Sequence, residues 1–169
     1  VAICAALASI LSPEGSRVRK QLPMTLSGSW LRCGADANYD PVLSILRDHL
    51  DNEGSIEIRT LPEVPNPDVG MIPGISKMML KRLQKGWPNM DLEQRSSAIS
   101  ELVLPALRSE GISTMRLEEL VWHRAMIPGN DIDIASQLHR AQCIWPEDET
   151  QTKIHASNIL DGLITNGHF

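Results

Sequence analysis

The sequence predicts a mainly α-helical domain, on three observations. From residue 75 onward apolar residues recur at three- and four-residue spacing. Breakers separate those stretches: Gly86, Pro88, Gly111, Pro128 and Gly129 each fall where one apolar stripe stops. Aromatic residues are only 4% of the chain, so seven Met and many Leu, Ile and Ala must fill the interior, which suits helices better than a sheet sandwich. The expected fold is all-α, a compact bundle of six or seven short helices, with at most a minor β element near 26–33 or 55–59.

The first eleven residues, Val1 to Leu11, are apolar and are expected to form a core-packing helix. They are too few to span a bilayer and lack the basic start of a signal peptide. Arg17, Arg19 and Lys20 follow, so the tail of a membrane helix is the rival reading. The chain opens without Met, as a processed protein or a segment of a larger one would. Residues 12–39 read as irregular, with turn chemistry at Ser12–Ser16.

Asp40-Pro41 should open a helix, Asp as N-cap and Pro in the first turn, with Val42, Leu43, Ile45, Leu46 and Leu50 inward and Gly54 closing it. Residues 55–59 alternate like a short strand. Four prolines and two glycines between 62 and 74 mark a loop and the best boundary in the chain. Beyond it, Ile75, Met79, Leu83 and Trp87 recur every four residues, supported by Met78 and Leu80. Asp91 and Gln94 have capping-box spacing before a helix with Leu92, Ile99, Leu102, Val103 and Ala106 inward, which Pro105 should kink or end. Ser113 can cap the next helix, with Ile112 and Leu117 as a hydrophobic staple. Asp131 or Asp133 should start another, with Ile134, Leu138, Ala141 and Trp145 inward. Glu147, Asp148 and Glu149 then favour the start of the last helix.

Two segments resemble each other. Met71-Ile72-Pro73-Gly74 through Trp87-Pro88 and Met126-Ile127-Pro128-Gly129 through Trp145-Pro146 share Leu-x-Arg-x-Gln, as Leu80, Arg82, Gln84 and as Leu138, Arg140, Gln142. A tandem duplication of roughly 57 residues is one explanation; accidental self-similarity in a chain of this length is the other. The organisation expected is an N-terminal helix plus irregular segment over 1–39 and a helical domain over 40–169, divisible into units of about 42–102 and 103–165.

With a net charge of −5, global electrostatics do not favour nucleic acid or anionic membrane, so either role needs a local patch. Such a patch exists on the helix from 75 to 87: Lys77, Lys81 and Lys85 share one side, Arg82 flanks them, and no Asp or Glu occurs from Val69 to Met90. A solvated amphipathic face is the plainer explanation of the same row. A groove-reading helix at 131–144 is disfavoured by Asp131, Asp133 and a single Arg.

His139 and Cys143 stand four apart on one helical face and are the only weak candidates for a metal, with His123, His155, Asp131 and Asp133 as more distant partners. A buried thiol beside a surface His explains the pair without a metal, and no cofactor is expected. Phosphate loops, nucleophile elbows, dinucleotide fingerprints and zinc-protease motifs are all absent from the sequence. Cys33 has no base that spacing assigns to it. His49, between Asp48 and Asp51, reads as solvated, and carboxylate pairs such as Glu118-Glu119 fit first-turn dipole positions.

Three cysteines far apart argue against a disulfide framework and for a reducing, cytoplasmic setting. The expected function is a non-catalytic protein-binding or assembly module, working with a protein partner or as a homo-oligomer and not at a membrane. Its candidate interface is Trp30 with Pro65 and Pro67. The alternative is a nucleic-acid-binding protein using the basic helix.

Overall fold

The computed structural model describes residues 2–27, 41–109, 111–146 and 148–166. Among the described residues the chain forms eight α-helices and one small sheet, in the order α1 (Ala2–Leu11), α2 (Ser16–Gln21), α3 (Pro41–Asn52), β1 (Glu57–Arg59), α4 (Lys77–Gly86), α5 (Leu92–Leu107), α6 (Thr114–Val121), β2 (Arg124–Ile127), β3 (Ile132–Asp133), α7 (Ile134–Cys143) and α8 (Glu149–Asn166). The mainly α expectation with a minor β element holds. No helix among the described residues is long and apolar enough to cross a membrane.

Helix starts follow the caps that the sequence offers. Asp91 Oδ1 accepts from Gln94 N at 2.8 Å while Gln94 Oε1 accepts from Asp91 N, completing the capping box of α5. Ser113 Oγ accepts from Arg116 N to start α6, and Asp148 Oδ1 accepts from Gln151 N ahead of the last helix. Pro105 lies inside α5, which ends two residues later at Leu107. Asp40 lies outside the described residues, as do Trp30, Cys33 and most of the suggested strand at 26–33.

Several expectations need correction. Part of the segment read as irregular folds as α2 and a 3-10 turn at Leu22–Met24, with Leu22 and Leu26 buried. The hairpin β2–β3 replaces a simple helix break, because strands of four and two residues are too short to show alternation. β2 is the central strand, antiparallel to β1 with Glu57 opposite Met126 and to β3 with Ile127 opposite Ile132. Helix α4 presents Leu80 and Leu83 inward, continued by Trp87, while Met78 and Met79 are exposed; its contacts with the 3-10 turn Leu61–Glu63 select that face. In α3 only Leu43 and Leu50 are fully buried, with Val42 and Ile45 exposed, and Leu92 is 84% exposed at the start of α5.

Two apolar clusters form the interior. One gathers Leu61, Val69 and Ile72 with Leu80, Leu83 and Trp87, α5 and α6. The other joins Leu22, Leu26, Leu43, Leu50 and Ile56 to Ala125, Ile134 and Leu138. Helix α7 serves both, since Ala135 belongs to the first and Ile134 and Leu138 to the second. The proline-rich stretch at 62–74 is therefore a strap that sends Val64, Val69 and Ile72 inward.

Candidate functional site

Three surfaces carry the polar and apolar groups left over from packing. The first is the outer face of α4. Ser76 Oγ accepts from Met79 N and starts the helix, and the 3.6-residue period then turns Lys77, Lys81, Arg82 and Lys85 outward. All four are exposed, and none forms an ion pair among the described residues. The far end of the helix is held by polar contacts. Gln84 Nε2 donates to the Val64 carbonyl at 2.9 Å, and the Trp87 indole donates to Glu63 Oε1 at 3.1 Å. The Arg95 guanidinium lies 5.1 Å from the Trp87 ring centroid.

Partial burial pushes the Glu63 carboxyl upward. Hydrogen bonds from the Thr60 amide, the Trp87 indole and the Thr60 hydroxyl, with the charge of Arg95, more than offset this and hold it below its ordinary value. Beside these residues a groove of about 620 Å³ is lined by Arg59, Pro62, Glu63, Gln84, Trp87 and Arg95. Its charge is mixed: Arg59 pairs with Glu57 at 2.8 Å and reaches Asp131 at 3.7 Å.

The second surface centres on α7, where the strap crosses it. Arg124, 0% exposed, donates through Nε to Asp133 Oδ1 at 3.2 Å and through NH2 to Asp133 Oδ2 and to Ser136 Oγ. It also reaches the Leu120 carbonyl at 3.4 Å. Asp133, expected as a helix cap, spends its carboxylate on Arg124 and Ser136 instead. Ser136 Oγ in turn accepts from Asp68 N at 2.8 Å, which ties the strap to α7.

Asp68 then faces His139: Oδ2 lies 3.0 Å from Nδ1, and Oδ1 accepts from Gly70 N at 2.9 Å. Burial would raise the Asp68 carboxyl. The hydrogen bonds of His139 and Gly70, and the nearby charge of His139 and Arg140, prevail and hold it low. An ionised carboxylate only accepts, so the ring nitrogen facing it, Nδ1, carries a proton, and in the uncharged form of the ring the lone pair is on Nε2. Cys143 Sγ lies 3.9 Å from that Nε2. A Cβ at position 70 would sit 2.8 Å from His139 Cε1, so only glycine lets the strap pass this close to the ring.

The third surface is α1. Ile3, Leu7, Ile10 and Leu11 are exposed by 84%, 55%, 76% and 75%, while Ala5 turns toward the second cluster. The expected core-packing helix thus half-buries Ala5, Ala8 and Ser9 and leaves its large residues outside.

The structure brings together Lys77, Lys81, Arg82 and Lys85 on one face, as the spacing implies. Pro65 is exposed and Pro67 half-buried on the strap. The pairing of His139 and Cys143 holds, with their exposures reversed: the thiol is exposed and the imidazole half-buried. His123 sits 3.9 Å from Glu119 and His155 packs edge-on against Trp145, so neither joins the pair. No group of three metal-ligating side chains occurs among the described residues. Glu119 pairs with Arg47 of α3 across 72 positions, so a role beyond the helix dipole belongs to it. Asp68 escaped sequence reading because it lies 71 positions from His139, and no spacing rule connects them.

No family model, no curated protein and no solved structure matches this chain.

Proposed function

We propose that the chain is a non-catalytic assembly module that associates with a second copy of itself through α1. The supporting observation is the stripe of Ile3, Leu7, Ile10 and Leu11, whose i, i+4, i+7, i+8 spacing is that of a helix that lays one face on a partner. Covering such a side chain contributes about 1.5–3 kcal/mol before the cost of association. No charged residue occurs in α1, so a two-fold contact between copies sets no like charges against each other. Sedimentation velocity over a concentration series tests this. The expected result is a concentration-dependent dimer that the double variant Leu7→Lys, Ile10→Lys abolishes. A monomer throughout, or a dimer indifferent to that variant, overturns it.

A second reading rests on the four cations of α4, which have no ion pair among the described residues and suit a phosphate backbone. Binding to a labelled oligonucleotide, followed by fluorescence anisotropy, should then weaken with salt at a log–log slope of about three to four. Lys81→Glu with Arg82→Glu should abolish it. A salt-independent signal, or one that survives the double variant, removes this reading.

A further inference from the structure

Asp68, His139 and Cys143 form a chain of orienting carboxylate, base and thiol that the assembly reading does not use. We propose that Cys143 is a stoichiometric thiol–disulfide exchange site for small disulfides, with His139 as its proton acceptor and Asp68 as the positioning residue. The arrangement has the three parts that a nucleophile needs. Sγ is exposed to an incoming reagent, Nε2 with its lone pair free is 3.9 Å away, and the Asp68 carboxylate, 3.0 Å from Nδ1, fixes the tautomer. Asp68 is itself pinned by Ser136 Oγ and Gly70 N, and Gly70 packs on the ring edge. Cys143 ends α7, where the dipole disfavours negative sulfur, so a thiolate there depends on the imidazolium beside it.

The local backbone selects the electrophile. Acyl transfer needs amides to hold an oxyanion, but Ile144 N and Trp145 N are already given to the carbonyls of Ala141 and Gln142. Exchange at sulfur develops no oxyanion. The Sγ proton passes to Nε2, and the thiolate attacks one sulfur of R–S–S–R. That S–S bond breaks as the Cys143–S–S–R bond forms, and the leaving RS⁻ takes the proton from Nε2. Cys143 is oxidised to the mixed disulfide and one R–S sulfur is reduced to thiol.

Cys4 on α1 is exposed and has no His or carboxylate partner among the described residues, and in the Leu7→Lys, Ile10→Lys background, where no second copy covers α1, it serves as an internal reference. The full chain in that background is treated with glutathione disulfide, and mixed disulfide on each cysteine is followed by peptide mass spectrometry. Cys143 should react about tenfold or more faster than Cys4, and His139→Gln should remove that advantage without altering the Cys4 rate. Should that variant lose its helical circular dichroism, Gly70→Ala replaces it, since the added methyl displaces the ring and keeps all three groups. For Asp68, long-range ¹⁵N–¹H NMR should show the Nδ1–H tautomer of His139 in the native chain and its loss in Asp68→Ala. Equal rates at Cys143 and Cys4, an advantage that survives the variants, or an unchanged tautomer in Asp68→Ala overturns the proposal.

Discussion

Helices α4 and α7 follow the two Met-Ile-Pro-Gly segments, are both ten residues long, and use their polar faces in opposite ways. Gly74 and Gly129 before them share a left-handed conformation, with φ of 75° and 82°. Leu80 and Leu138 are both buried, and Arg82 and Arg140 are both exposed. Beyond this common plan they part. The lysines of α4 bond to nothing among the described residues, whereas Ser136, His139 and Cys143 of α7 belong to a connected polar chain that reaches Asp68 and Arg124. The difference comes from the strap. It lies across α7 and supplies a carboxylate and an amide, whereas toward α4 it turns apolar Val69 and Ile72 and bonds near the helix end, Val64 with Gln84 and Glu63 with Trp87 just beyond it. What a helix position does chemically is thus set by what crosses it as much as by its own residue.

The strongest way to break the comparison is at the buried end of the α7 chain. Arg124→Met leaves Asp133 without its counter-charge in the interior and should cost about 3–5 kcal/mol in urea unfolding. A loss below about 1 kcal/mol would mean that water reaches Asp133. Next come the tryptophans after each helix. Trp87 is buried, donates to Glu63 and carries Arg95 on its face, so Trp87→Ala should cost about 3 kcal/mol. Trp145 is half-buried against His155, and Trp145→Ala should cost about 1 kcal/mol by the same assay. Equal losses would erase the distinction between the two helix ends.

A smaller effect concerns acid stability. The folded Glu63 carboxyl titrates below its ordinary 4.5, so folding favours its ionised form. Its contribution is fully present above that value and is lost as pH falls through the depressed folded one. Glu63→Gln should therefore flatten the decline in the urea midpoint between about pH 5 and pH 3. An identical decline in the variant would assign the acid sensitivity elsewhere, Asp68 being the corresponding group beside α7. The smallest effect belongs to the free face: Lys81→Ala should shift stability by no more than about 0.5 kcal/mol. A larger loss would reveal a partner for that lysine.

Much of the helical plan was legible in the sequence because caps and breakers act locally. Asp91 with Gln94, Ser113 and Pro41 mark helix starts through bonds or geometry within one turn. The basic face of α4 was legible for the same reason, since spacing alone decides which residues share a side. Which apolar side faces inward was harder. Met79 and Leu83 fit one stripe as well as Leu80 and Leu83 fit another, and the choice between them depends on the 3-10 turn at Leu61–Glu63. The relay through Asp68 was illegible because both of its long contacts, to Ser136 and to His139, join positions about seventy apart.

The register of the sheet also dictates an order of events. Glu57 of β1 pairs with Met126 of β2, so the edge strand leaves the ribosome well before the middle strand to which it belongs. Through the synthesis of α4, α5 and α6, β1 has no strand to pair with, and its Ile58 amide has the Asp51 carboxylate as an earlier partner. Closure of the sheet comes late, and it arrives with Arg124, the first residue of β2. The guanidinium loses its water only as Asp133 and Ser136 follow within the next twelve residues. A nascent chain halted inside the hairpin would present a bare charge to a half-built interior, and the emergence of β3 and the first turn of α7 is what supplies its partners.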